Sequence, residues 1–166
     1  MAADTTQTKT ITVGVSDCIV SSEPSEVLLT YSLGSCVGVT LYDPVVKVGG
    51  MLHFKLPESK LNPSLAAEKP ATFGDSGLEL LLDQVFKLGA TRKNLQVKIA
   101  GGAKALAEGS FFDIGSRNVL MARRMLWRND LLPKVEETGG TESRTLRLYM
   151  EDGRLTVKDS AGERDL

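Results

Sequence analysis

A chain of 166 residues is long enough for one domain with a buried core and short for two. A formal net charge of -1 with 25% charged residues argues against nucleic-acid binding by bulk charge and against a disordered acidic tail. Two cysteines do not make the disulfide framework of a small secreted protein, no apolar run reaches membrane-spanning length, and residues 1–10 lack the apolar core of a signal peptide. The expectation is a protein of the reduced cytoplasm with no membrane insertion.

In chain order, residues 1–10 are expected to be a flexible tail. Residues 11–15, Ile-Thr-Val-Gly-Val, alternate with period two, and Cys18-Ile19-Val20 follows a polar step, so one or two short strands are predicted. Cys18 has no histidine or suitable acid predictably near it and is read as structural. Residues 21–25 are a loop by composition, and Val27-Leu28-Leu29-Thr30 enters a longer strand. A turn at Leu33-Gly34-Ser35 then delivers Cys36. Val37-Gly38-Val39-Thr40-Leu41-Tyr42 reads as a strand, Asp43-Pro44 as a turn, and Met51-Leu52-His53-Phe54 as the returning strand behind Gly49-Gly50. Two such strands can bring Cys36 beside His53, the only histidine of the chain.

A cysteine attacks as its thiolate, and a neighbouring imidazole raises the reactive population, held here as an expected ion pair. Gly34 is expected to let the backbone turn sharply and admit a substrate carbonyl, with the amides around Ser35 and Cys36 facing a developing oxyanion. Thr30 is a candidate to orient the ring through its hydroxyl or carbonyl. The same residues also fit a blander reading, in which Cys36 and His53 are half-buried core residues and Thr30 an ordinary strand threonine.

Pro57, Pro63 and Pro70 mark residues 58–70 as an irregular connection, either a flap over the reactive centre or a surface loop. A helix is predicted from a capping box at Ser76-Gly77-Leu78-Glu79, with Leu78, Leu81, Leu82, Val85 and Leu88 on one face and Gly89 at its end. Residues 95–99 alternate as a strand that ends in Gly101-Gly102-Ala103-Lys104. That glycine pair lacks the spacing of a phosphate-binding loop, so close backbone packing near the reactive centre is the expected use. Residues 105–114 read as a loop with Phe111 and Phe112 as anchors, either buried or part of a binding patch. Ser116 caps a second predicted helix to about Arg128. Residues 145–150 and 154–158 flank Glu151-Asp152-Gly153 as a hairpin, and residues 159–166 are expected to be a flexible tail.

The block Leu33-Gly34-Ser35-Cys36-Val37, Leu41-Tyr42-Asp43-Pro44 and Gly49-Gly50-Met51-Leu52-His53-Phe54-Lys55-Leu56-Pro57 resembles the signature of the CheD family, chemoreceptor glutamine deamidases of bacterial chemotaxis. Gly74-Asp75, Gly101-Gly102-Ala103, Ile114-Gly115-Ser116-Arg117-Asn118 and Gly139-Gly140 resemble later segments of that family in the same order. By motif, the resemblance implies a catalytic Cys36, His53 and Thr30, with no metal and no cofactor. It implies hydrolysis of glutamine side-chain amides on chemoreceptor cytoplasmic helices through a cysteine thioester. It also implies a CheC-type phosphatase as partner, and with it a second reading: a regulatory binding module that stimulates such a phosphatase. For the fold, helices must cover a sheet face. A mixed α/β (α+β) single-domain layered sandwich over residues 11–158 is expected, strand-rich with two main helices, like the cysteine-hydrolase fold the resemblance implies.

Overall fold

The structure, a computed structural model, describes residues 7–104 and 113–166. Phe111 and Phe112 therefore lie outside the described residues. The first sheet runs in the order β1 (Lys9–Thr12), β3 (Glu26–Leu33), β8 (Arg144–Tyr149), β9 (Leu155–Asp159) and β10 (Gly162–Asp165). The second runs β2 (Asp17–Ser21), β5 (Val48–Phe54), β4 (Val37–Asp43), β6 (Gln96–Gly101) and β7 (Val135–Thr138). Helices α2 (Gly74–Lys87) and α3 (Ile114–Arg128) cover the outer face of the second sheet, while α1 (Pro63–Glu68) is a short helix in the connection before α2. The layered α+β sandwich with two main helices is the architecture found.

Alternation along the strands explains the layers. Every residue of β4 and β5 is buried, which requires cover on both faces. Val37, Val39, Leu41, Leu52 and Phe54 face the helices and join Leu78, Leu81, Leu82 and Val85 of α2. Each such side chain contributes about 1.5–3 kcal/mol on full burial, enough to seat α2 without help from helix propensity. Residues one step out of phase, Tyr42 and Met51, face the first sheet and meet Leu28, Leu146 and Leu148. The predicted hairpin of β8 and β9 forms, with Leu148 opposite Leu155.

Several boundaries differ from expectation. Residues 159–166, expected as a tail, turn back at Ser160-Ala161 so that β10 pairs antiparallel with β9. Backbone pairing needs no apolar side chain, and Arg164 adds ion pairs to Asp159 and Glu137, so a polar composition concealed the strand. Lys9 and Thr10 likewise belong to β1, which pairs parallel with β3 rather than fraying. Helix α2 starts two residues before Ser76. The Ser76 hydroxyl donates to the Pro70 carbonyl, and Asp75 accepts the Ser59 amide and hydroxyl, so the anticipated capping box is not formed. Leu88 is half exposed beyond the buried face. Helix α3 is capped by Asp113, whose carboxylate accepts the Ser116 amide at 3.0 Å, not by Ser116 itself. The 58–70 connection carries α1, capped by Asn62, between two short 3-10 turns. Among the described residues, no helix is long and apolar enough to cross a membrane.

Candidate active site

Three strands meet at the site. Thr30 lies on β3 of the first sheet, and His53 lies on β5 of the second, opposite Gly38 of β4. Cys36 ends the turn that links β3 to β4. It sits two positions from Gly38 and packs against the layer between the sheets, so it shares that face with His53. Diagonal positions of this kind lie about 7–8 Å apart, within reach of an imidazole. A β-bulge makes the geometry work. Thr30 pairs with Leu146 and Leu33 with Arg144, three steps on β3 against two on β8. The extra residue lets Thr30 and Leu33 both point inward. Ser32 carries the strain, with φ of 57°. Gly34 does not: its φ is not positive and a Cβ there would meet nothing within 4 Å. Gly34 therefore opens space in front of the turn and is not needed to bend it.

The turn is held from behind. The Gly34 carbonyl accepts the Ala103 amide at 2.8 Å and the Cys36 carbonyl accepts the Gly102 amide at 2.8 Å. The Ser35 carbonyl accepts Asn118 Nδ2 at 2.9 Å. In a trans peptide the N–H points opposite to the preceding C=O, so anchoring the carbonyls of 34 and 35 turns the Ser35 and Cys36 amides the other way. Neither amide donates to a backbone carbonyl among the described residues. The Gly34 amide, by contrast, donates to the Ser32 carbonyl at 2.9 Å and is not a free oxyanion donor. Gly101 must be glycine for the same anchor: its φ is 106° and a Cβ would collide with the Cys36 carbonyl.

His53 is fully buried. Its Nδ1 lies 2.7 Å from Thr30 Oγ1, and Thr30 Oγ1 itself donates to the Val13 carbonyl at 2.7 Å. A hydroxyl has one proton, so with that proton on Val13 the Thr30 oxygen accepts, and the imidazole proton sits on Nδ1. Nε2 is left with its lone pair free, buried and without a partner among the described residues. Burial pushes the imidazole pKa down to about 4. The Cys36 thiol is raised by burial, an effect only partly offset by the positive charge of Lys55 and by the Cys36 amide. Burial of both groups thus opposes the expected thiolate–imidazolium ion pair at rest. Burial penalises both charged forms more than Lys55 compensates, so the neutral thiol and the neutral imidazole are favoured.

Asn118 was not given a role from the sequence. It is fully buried on the inner stripe of α3, and its Nδ2 donates to the Ser35 and Lys55 carbonyls, each at 2.9 Å. The β4–β5 ladder ends at Val37 opposite Phe54, so one side-chain amide bridges the next step and ties the turn that carries Cys36 to the strand that carries His53. An asparagine among Val119, Met121 and Ala122 on an otherwise apolar stripe was the available signal. Cys18 lies on the opposite face of the second sheet, with Sγ 3.8 Å from Gln84 Oε1 and a thiol pushed up to about 12 by burial and Asp17. It remains a structural residue.

The chain as a whole has close relatives. The chain is 45% identical over 152 residues to the "Probable chemoreceptor glutamine deamidase CheD 1" of Syntrophus aciditrophicus, covering 92% of this chain and 95% of that protein. It is 44% identical over 156 residues to the "Probable chemoreceptor glutamine deamidase CheD" of Solibacter usitatus, covering 94% and 92%. It is 42% identical over 148 residues to the corresponding CheD 2 protein of Anaeromyxobacter dehalogenans, covering 89% and 93%. Among solved structures, the Bacillus licheniformis hypothetical protein YfiH aligns with a TM-score of 0.46 at 13% identity, over 74% of this chain and 50% of that one, too loosely to bear on fold or function. The family described as CheD chemotactic sensory transduction matches residues 55–159, more than half of the chain, and with relatives aligned over about nine-tenths of its length this chain belongs to the CheD family.

Proposed function

We propose that this chain is a chemoreceptor glutamine deamidase that hydrolyses side-chain amides on receptor cytoplasmic helices by way of a Cys36 thioester. The observation that carries the reading is the buried Thr30–His53 hydrogen bond of 2.7 Å, which leaves an unpartnered Nε2 in the layer that Cys36 joins. His53 Nε2 takes the thiol proton as Cys36 Sγ attacks the carboxamide carbon, so ionisation and attack occur together. The carbonyl oxygen becomes an oxyanion facing the Ser35 and Cys36 amides, each donor contributing about 3 kcal/mol in comparable acyl transfers. His53 then returns the proton to the amide nitrogen, the C–N bond breaks, and ammonia leaves a thioester. Water gives a proton to Nε2 and attacks that thioester. The C–S bond breaks, Cys36 recovers its proton, and glutamate is the product. The same acyl intermediate would accept a glutamate methyl ester.

Thr30 fixes the ring, and Asn118 positions the turn. A cytoplasmic location follows from such a substrate, and a CheC-type phosphatase is the proposed second partner, tested by its binding to Cys36→Ala. The decisive experiment is mass spectrometry of a receptor cytoplasmic fragment incubated with wild type, Cys36→Ala and His53→Ala. Conversion of glutamine to glutamate with wild type alone supports the reading. No conversion on a folded receptor fragment overturns it.

A further inference from the structure

A groove of about 340 Å³ runs between the 3-10 turn at Ser59–Leu61 and one side of α3. Its wall continues the segments that carry and brace the site. Pro57 lies four residues beyond His53, and Arg117 precedes the Asn118 that holds the Ser35 carbonyl. Its lips are apolar and uncovered: Leu61 and Leu120 are each 59% exposed, above a buried Met121. On α3 the lining follows the spacing i, i+3, i+4, i+7, from Arg117 through Leu120 and Met121 to Arg124.

The charge in this groove is uncompensated. Lys60 is paired with Glu58 at 2.6 Å, and Arg123 turns to Glu136 on the other side of the helix. Arg117 and Arg124 form no ion pair among the described residues. Two guanidinium groups seven residues apart on a helix stand about 10 Å apart along its axis, which is two turns of any helix laid beside it. An apolar strip flanked by two such cations fits an amphipathic helix with Asp or Glu on its rim.

We propose that this groove is the docking seat for an acidic amphipathic helix of the protein that presents the target glutamine, with Arg117 and Arg124 engaging carboxylates two turns apart. The inference rests on the deamidase reading of Cys36 and adds the surface that selects the substrate. The seat sets recognition and the Cys36 turn sets chemistry, so the two separate in kinetics.

The test uses the full chain and a receptor cytoplasmic fragment. In the double variant Arg117→Glu, Arg124→Glu, KM is expected to rise about tenfold, with kcat within about twofold of wild type. Alkylation of Cys36 by iodoacetamide, which needs no docking, is expected to be unchanged. A fragment whose acidic residues flanking the deamidated glutamine are changed to Lys should lose affinity for wild type and regain it for the reversed variant. An unchanged KM, or a loss of kcat and alkylation in step with KM, overturns the proposal. Direct binding of the fragment to Cys36→Ala with and without the arginine reversals separates the two levels. Weakened binding by the reversals without any wild-type deamidation sustains the seat and overturns the deamidase reading, whereas deamidation with an unaltered KM overturns only the seat.

Discussion

Thr30 decides which nitrogen of His53 works. Its proton goes to Val13, so its oxygen can only accept from Nδ1–H, which leaves Nε2 as the base of the proposed mechanism. Thr30→Val removes that acceptor, leaves a buried N–H without a partner, and frees the tautomer, while Thr30→Ser keeps the oxygen. Deamidation kinetics should show kcat falling by about tenfold or more in Thr30→Val, a loss of one buried hydrogen bond in the working geometry, and near-normal turnover in Thr30→Ser. The depressed imidazole also sets the acid limb of the pH profile. In the proposed mechanism His53 must be neutral to accept the thiol proton, and burial holds its pKa down at about 4, so activity should hold as pH falls through 6.5 and drop only near 4. A limb at 6.5 would contradict a buried imidazole. The thiol points the same way: because burial raises the Cys36 pKa, the rate of alkylation should still be climbing at pH 9.0.

At the scale of elements, the site is a joint between a hairpin, a crossing strand and a helix. The Cys36 turn has no ladder of its own, and Gly102, Ala103 and Asn118 anchor its three carbonyls. Removing the side chain in Asn118→Ala takes the donor from the part-buried Ser35 and Lys55 carbonyls, which should cost about 1–3 kcal/mol in urea unfolding. It should also misplace Cys36 relative to His53, so kcat falls by about tenfold or more with little change in KM. Lost stability with normal kcat in the folded fraction would reduce Asn118 to a packing residue. The hairpin β4–β5 and the type of residue at positions 30, 36 and 53 were readable in the sequence, because strand alternation and turn residues are local. Asn118 was not, since the carbonyls it holds are 83 and 63 residues away. The strand β10 escaped for another reason: its pairing is through backbone, and its side chains are polar.

For the whole molecule, a histidine kept neutral between two sheets links stability to pH. Below its unfolded value of 6.5 the unfolded chain gains a proton that the folded chain refuses until about 4. Unfolding is therefore favoured as pH falls through that window, and stability rises as pH returns to 6.5. The shift corresponds to about 3 kcal/mol across the window. Thermal or urea unfolding at pH 4.5 and 7.0 should show wild type losing more stability on acidification than His53→Gln, with the excess absent if His53 titrates normally in the fold.

Composition, strand alternation and turn residues alone determined a mixed α+β sandwich, the hairpin that carries His53 and follows Cys36, and two helices with apolar stripes, because each of these depends on neighbours within a few residues. Only the tertiary structure decided the rest. It set the resting charge of the thiol and imidazole, which depends on what covers them, and the tautomer of His53, which depends on a hydroxyl in the other sheet. It turned the Ser35 and Cys36 amides outward by anchoring carbonyls from distant segments, and it folded a polar terminus back as β10. Burial and long-range hydrogen bonds are properties of the packed layers, and a linear pattern carries no term for them.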